Sequence, residues 1–229
     1  MQRALAVAAH PDDIEFSSAA TISKLVQSGC DVTYAVVTNG DKGTDDPDIQ
    51  PARLAEIRAE EQRNAARVLG VREVVFLGYE DGTLWPSLEL RKQMVRLIRR
   101  FQPDLVMTYD PMNRYFVQRY INHPDHRIVG DAVLDAVYPS ARDRLVFPEL
   151  LEEGLEPHKV RHVMLWMPAM ADLIVDIGDS IDVKVEALRE HRSQTQNRDL
   201  DSIVRERAAL FGQPHGVALA EIFKYIHLP

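Results

Sequence analysis

The chain has 229 residues, with Lys+Arg 27 against Asp+Glu 35, a formal net charge of −8, and 45% apolar and 27% charged residues. This composition excludes intrinsic disorder and suits one large domain or at most two small ones. Its acidic balance argues against a nucleic-acid partner, because a phosphate-backbone binder needs a basic face.

No run approaches the roughly 18–20 apolar residues of a membrane helix. The apolar start is cut short by Pro11, Asp12 and Asp13, too soon for a secretory signal. A cytoplasmic protein without a membrane partner is expected. Cys30 is the lone cysteine, which excludes an internal disulfide framework and a thiolate metal cage. Any metal site must therefore come from histidines and carboxylates.

In chain order, residues 3–9 read as a buried strand, 17–28 as a helix, 32–38 as a strand and 51–69 as a helix closed by Gly70. Strand 74–77, a basic amphipathic helix 88–101 and strand 104–109 follow. Continuously apolar strands separated by helices imply a Rossmann-like α/β fold, a mostly parallel sheet with helices on both faces. Residues 111–122 carry turn residues and the aromatics Tyr115, Phe116 and Tyr120, without a clear period. Helical signal resumes at Pro124, well suited to a first helical position, and runs towards 138. Short strands are expected at 160–166 and 172–177, helices at 181–191, 200–210 and 217–225, and a polar loop at 193–199.

In an open α/β sheet, ligands sit outside the carboxyl ends of the strands. Four polar clusters fall there: His10-Pro11-Asp12-Asp13, Thr38-Asn39-Gly40-Asp41, Gly78-Tyr79-Glu80-Asp81-Gly82 and Tyr109-Asp110-Pro111. In a helical turn, His10 and Asp13 at i, i+3 share one face and can grip one cation. His123 and His126 repeat that spacing. Two histidines and one carboxylate with an open position suit zinc or ferrous iron in a catalytic rather than a structural arrangement. Water on such a metal attacks an amide carbonyl when a carboxylate takes its proton. Asp12 neighbours two ligands and is the natural base; Asp125 is placed to orient an imidazole.

Together, Ala9-His10-Pro11-Asp12-Asp13 and His123-Pro124-Asp125-His126 resemble the PIG-L/LmbE-like family of zinc-dependent N-deacetylases. Further family-like phrases follow in order: Thr38-Asn39-Gly40-Asp41-Lys42-Gly43, Arg58-Ala59-Glu60-Glu61 leading to Leu69-Gly70, Asp81-Gly82 and Pro103-Asp104. Later come Lys184, Ala187-Leu188, His191, Ser193-Gln194, Ala220-Glu221 and Phe223. The likeness covers nearly the whole chain, so a single domain over 1–229 is expected. It implies that His10, Asp13 and His126 bind Zn2+ (or Fe2+), that Asp12 is the general base, and that His123 is the acid or electrostatic partner of the tetrahedral intermediate. It also implies that Asp125 orients a histidine and that Arg58 and Asp81 lie near a sugar. The chain departs from the family in reading Ala19-Ala20-Thr21 where members carry Gly-Gly-Thr.

Simpler roles exist for several of these residues. Arg58 can serve helix ion pairs, and Asp81-Gly82 makes a good turn. His158, His162, His215 and His227 read as surface or rim histidines, and Cys30 as a buried or loop thiol. The run Arg91-Lys92, Arg96, Arg99-Arg100 reads as a solvated helix face, with Met94, Val95, Leu97 and Ile98 packed inward.

The reading is a metal-dependent hydrolase that removes an N-acetyl group from a small substrate containing N-acetylglucosamine (GlcNAc). The alternative is an amidase acting on a larger acyl group or a thiol-sugar conjugate. A nucleotide-binding module would need G-x-G-x-x-G after the first strand, where this chain has His10-Pro11-Asp12-Asp13. A metal-binding protein without catalysis is a third class, against which Asp12 and His123 argue. The resemblance suggests a homo-oligomer, and the apolar C-terminal helices offer an interface. GlcNAc-inositol, GlcNAc-malate, chitobiose-like sugars and glycopeptides are all compatible substrates.

Overall fold

The computed structural model describes residues 1–116 and 120–229, with the backbone alone at Phe116. The Phe116 side chain, one of the three aromatics of the 111–122 stretch, thus lies outside the described residues.

The first strands are continuously apolar because they are covered on both faces. In β1 (Arg3–Ala8), every residue from Ala4 onward is buried. It pairs in parallel with β2 (Asp31–Thr38) on one side and β4 (Leu105–Tyr109) on the other. β3 (Glu73–Tyr79) extends the sheet beyond β2, and β7 (His162–Trp166) extends it in parallel beyond β4. A small hairpin of β5 (Tyr115–Phe116) and β6 (Tyr120–Ile121) stands apart. Two further strands, β8 (Leu173–Asp176) and β9 (Ala220–His227), complete the sheet in the order β3-β2-β1-β4-β7-β9-β8.

Helices α1 (Asp13–Gln27), α2 (Pro51–Val68), α6 (Ile181–Arg189) and α8 (Leu200–Gly212) form one layer, in which α6 packs on the other three. On the opposite face, α3 (Leu88–Phe101) packs on α4 (Pro124–Asp135). Two short helices, α5 (Glu149–Glu152) and α7 (Arg192–Thr195), lie in connecting segments. Among the described residues, no helix is long and apolar enough to cross a membrane.

Three expectations need correction. Residues 217–225 are not helical: β9 runs antiparallel to both β7 and β8 and fills the gap between them. Ile222, Phe223, Tyr225 and Ile226 suit a pleated surface, and two strand edges supply partners that no local pattern reveals. Of the C-terminal helices offered as an interface, the last is thus an internal strand, while α6 and α8 are helical. Arg99 is not solvated but 2% exposed. Its guanidinium donates to the carbonyls of Ser140, Ala141, Asp143 and Val146, capping the irregular turn after α4. The polar loop at 193–199 begins inside α7.

The late family-like residues act as a clip. Glu221 on β9 accepts from the backbone N–H groups of Ala20 and Thr21 at 3.2 and 2.8 Å, and Lys184 Nζ binds both Glu221 (2.7 Å) and the Phe16 carbonyl (2.9 Å). The close approach at Ala19-Ala20-Thr21 is therefore made with alanine in place.

Candidate metal centre

The carboxyl ends of β1, β2, β3 and β4 converge, as the strand directions require. His10 follows β1, and Asp13 opens α1 directly after a tight turn. Asp12 makes that turn with φ 91°, ψ −23°, a left-handed conformation that Asp and Asn tolerate better than most residues. His123 caps α4 by accepting from the Asp125 N–H at 3.2 Å, and Pro124 fills the first helical position. His126 then lies one turn inside the helix, stacked 4.2 Å from the buried Tyr109 ring.

Donor atoms of three residues meet. His10 Nδ1 lies 3.2 Å from Asp13 Oδ2, His126 Nε2 lies 3.2 Å from Asp13 Oδ1, and the two nitrogens are 3.3 Å apart. A tetrahedral cation with bonds of about 2.0–2.1 Å needs ligand separations of about 3.3 Å.

The hydrogen bonds behind the rings decide where their lone pairs point. Asn122 Nδ2 donates to the Asn113 carbonyl at 2.8 Å, so its Oδ1 accepts from His126 Nδ1 at 2.9 Å, and Nε2 presents a lone pair. His10 Nε2 faces two carboxylate oxygens, Asp81 Oδ1 at 2.9 Å and Asp125 Oδ2 at 3.4 Å, whose charge favours a proton there and a lone pair on Nδ1. Two lone pairs and a carboxylate thus aim at one point, a mutual repulsion that a cation removes. Four carboxylates, Asp12, Asp13, Asp81 and Asp125, gather here against the Arg58 guanidinium. The donor set and its charge fit a divalent metal.

Charge states follow from this crowding. Burial pushes Asp12 up to about 6, opposed by Arg58 and assisted by the Asp13 charge. Burial also acts on Asp13, but where His126 and His10 carry a second ring proton their charge outweighs it and holds the carboxyl well below the usual range. Burial, then the neighbouring His10 and His126, lowers His123 and keeps it neutral.

The resemblance sets Arg58 and Asp81 beside a sugar; here both are packed against protein. Arg58 Nη1 donates to the Gly40 carbonyl at 2.8 Å, and Nη2 donates to the Pro11 carbonyl at 2.7 Å and lies 3.4 Å from Asp12 Oδ2. A Cβ at Gly40, where φ is +60°, would fall 2.6 Å from Arg58 Nη1, and one at Gly43 would also collide with the guanidinium. Asp81 stands behind His10, with its own N–H held by Asp41 at 3.0 Å. Asp125 likewise serves His10 and accepts from the Gly82 N–H at 2.8 Å. Sequence reasoning passed over Asn122 as a ring orienter and over Gln62, whose Oε1 accepts from the Asp12 N–H at 3.0 Å. The available signal for Gln62 was its position four residues after Arg58, on the same helix face.

A family model described as PIG-L: GlcNAc-PI de-N-acetylase matches residues 5–137. The chain belongs to the PIG-L family. Diacetylchitobiose deacetylase of Thermococcus kodakarensis is 32% identical over 230 residues, 99% of this PIG-L chain and 84% of that protein. The solved N,N'-diacetylchitobiose deacetylase from Pyrococcus horikoshii superposes with a TM-score of 0.91 at 33% identity, covering 99% of this chain and 84% of that one. Mycothiol S-conjugate amidase of Streptomyces coelicolor is 31% identical over 168 residues, 64% of this chain and 55% of that protein.

Proposed function

We propose that this PIG-L protein is a zinc-dependent deacetylase that hydrolyses the N-acetyl amide of a small GlcNAc-bearing substrate to acetate and a free amine. The observation that carries the proposal is the triangle of His10 Nδ1, the Asp13 carboxylate and His126 Nε2, with both ring tautomers set by the groups behind them. A divalent cation held there supplies Lewis acidity to the acetyl carbonyl and brings a bound water towards a neutral pKa.

Asp12 accepts the proton of the attacking water, its carboxylate beside Arg58 and its amide held by Gln62. The same carboxyl then returns that proton to the departing nitrogen, which would otherwise leave as an amide anion. Because His123 Nδ1 accepts from the Asp125 N–H, the ring's proton is on Nε2. Neutral His123 thus acts as a hydrogen-bond donor to the carbonyl oxygen as charge builds on it.

A cavity of about 620 Å³ opens onto Asp13 and His126, within the usual range of roughly 300–1,000 Å³ for small-molecule sites. Its wall of Phe16, Ile203, Val204 and Phe211 favours, as a second reading, a substrate with a bulkier apolar acyl group or conjugate. Similarity to the Streptomyces amidase supports that alternative. We take 1–229 as one catalytic domain because the sheet is continuous from β3 to β8.

The test is product analysis on a panel of N-acetylglucosamine, N,N'-diacetylchitobiose, longer N-acyl glucosamines and thiol-sugar conjugates. Acetate release that chelation abolishes and zinc or ferrous iron restores is the expected result. Cleavage of the longer acyl or conjugate members without acetate would transfer the assignment to the amidase, and cleavage of none would refute both.

A further inference from the structure

Glu15 and His191 have no part in the chemistry above, yet their side chains are 0% exposed and they sit next to the site. His191 Nε2 lies 3.1 Å from Glu15 Oε2. The other Glu15 oxygen accepts from Gln62 Nε2 at 2.9 Å, and Gln62 Oε1 accepts from the backbone N–H of Asp12 at 3.0 Å. The direction of this series is forced. A backbone N–H only donates, so Gln62 must turn its oxygen to Asp12, which leaves its NH2 for Glu15. A second donor on Glu15 keeps that carboxylate in place to hold Gln62, and His191 supplies it.

Asp12 needs this restraint. At φ 91° its backbone is in a region that L-residues leave unless their surroundings hold them there, and the direction of its carboxylate follows from that backbone. The neighbours of His191 hold the segments that pack against the Asp12 turn. Ser193 donates through N–H and Oγ to Glu61 at 2.7 and 2.6 Å, beside Gln62 on α2. Gln194 Nε2 donates to the Gly43 carbonyl at 2.9 Å, in the loop whose Gly40 carbonyl receives Arg58. Segment 191–194 thus braces both side chains that hold Asp12.

We propose that His191 is a positioning residue: acting through Glu15 and Gln62, it fixes the Asp12 amide and so the aim of the Asp12 carboxylate. The proposal rests on Asp12 being the base.

The experiment compares zinc-loaded wild type with His191→Phe, His191→Gln, Gln62→Leu and the double variant His191→Phe/Gln62→Leu. Four quantities are read: bound zinc, KM, kcat per zinc-loaded chain, and hydrogen exchange of the Asp12 amide. His191→Phe is expected to lose kcat by at least about tenfold with KM changed by less than about threefold, since the loss is confined to the transition state. Zinc content should hold, and Asp12 amide exchange should accelerate. His191→Gln, which keeps a donor for Glu15, should recover most of the rate.

Because the groups act in series, the double variant should be no slower than the slower single one, a non-additivity that independent sites do not show. A purely structural role for His191 would reduce the zinc-loaded fraction while leaving kcat per loaded chain, KM and Asp12 exchange untouched, and that result overturns the proposal. Losses that multiply in the double variant also overturn it. Should His191→Phe fail to fold, His191→Gln and Gln62→Leu carry the same comparison. If the wild type cleaves no member of the substrate panel, the base assignment falls, whereas unchanged exchange at Asp12 in the variants of an active enzyme removes the relay alone.

Discussion

Replacing Asp12 with Asn separates base catalysis from metal binding, because Asp12 is adjacent to the donor triangle without belonging to it. Asn tolerates the left-handed φ of 91° at least as well as Asp, so the turn between His10 and Asp13 should persist. The Gln62 bond is to the Asp12 amide and is unaffected by the side-chain change. Stability should stay within about 1 kcal/mol: the 3.4 Å contact with Arg58 weakens, but a buried negative charge is also removed. Catalysis should not survive, since the amide cannot accept the water's proton. A positioned general base contributes roughly 10²–10⁴-fold, which at 1.36 kcal/mol per tenfold is about 2.7–5.4 kcal/mol of barrier.

Asp12→Ala is the contrasting variant. It loses the same base and also places a β-carbon where left-handed backbone costs about 1–2 kcal/mol, a fall in melting temperature of roughly 2–8 °C for a chain of this size. The assay is kcat on zinc-loaded protein with elemental analysis and calorimetry. An Asn variant that keeps more than about a tenth of wild-type kcat, or that loses its zinc, would refute the reasoning.

Other perturbations give distinct outcomes. Saturating zinc at about 1,000 times its dissociation constant stabilises by about 4 kcal/mol, so chelation should lower the melting temperature by roughly 8–16 °C, and no shift would contradict a folded-state metal site. Asn122→Leu removes the acceptor that fixes the His126 tautomer and should weaken zinc binding about 10–100-fold; calorimetric titration measures it, and unchanged affinity would remove the tautomer argument.

His191 should give stability a pH signature. Burial lowers it, but the hydrogen bond and charge of Glu15, with Asp12 and Glu61 beyond, raise it above its ordinary value. Its contribution is therefore fully present below about pH 6.5 and is lost as pH rises through the raised folded-state value. The melting-temperature gap between wild type and His191→Gln should shrink as pH rises past neutrality, and a gap constant from acid to alkaline pH would exclude the charged pair.

The two halves of the donor triangle were legible because each is local, while the choice of His126 over His123 came from the family resemblance. His10 with Asp13, and His123 with His126, each fall within one turn, and apolar runs before the first four polar clusters place those clusters at a single sheet edge. The groups that act across the fold were not legible. Asp81 sits behind His10 only once β3 lies two strands from β1, and His191 reaches Glu15 from 176 residues away. Arg99 reads as solvated by charge pattern, since the carbonyls it caps belong to a turn some forty residues later. Residues 217–225 carry Ala, Leu and Glu, good helix formers, and from Ala220 onward become strand because β7 and β8 leave a slot between them.

The most direct test of the central claim is zinc-edge anomalous diffraction from crystals of the zinc-loaded protein. The account predicts a strong peak about 2.0–2.1 Å from His10 Nδ1 and His126 Nε2 and in bonding range of the Asp13 carboxylate. A zinc peak held by other residues, or none at this triangle, would contradict it.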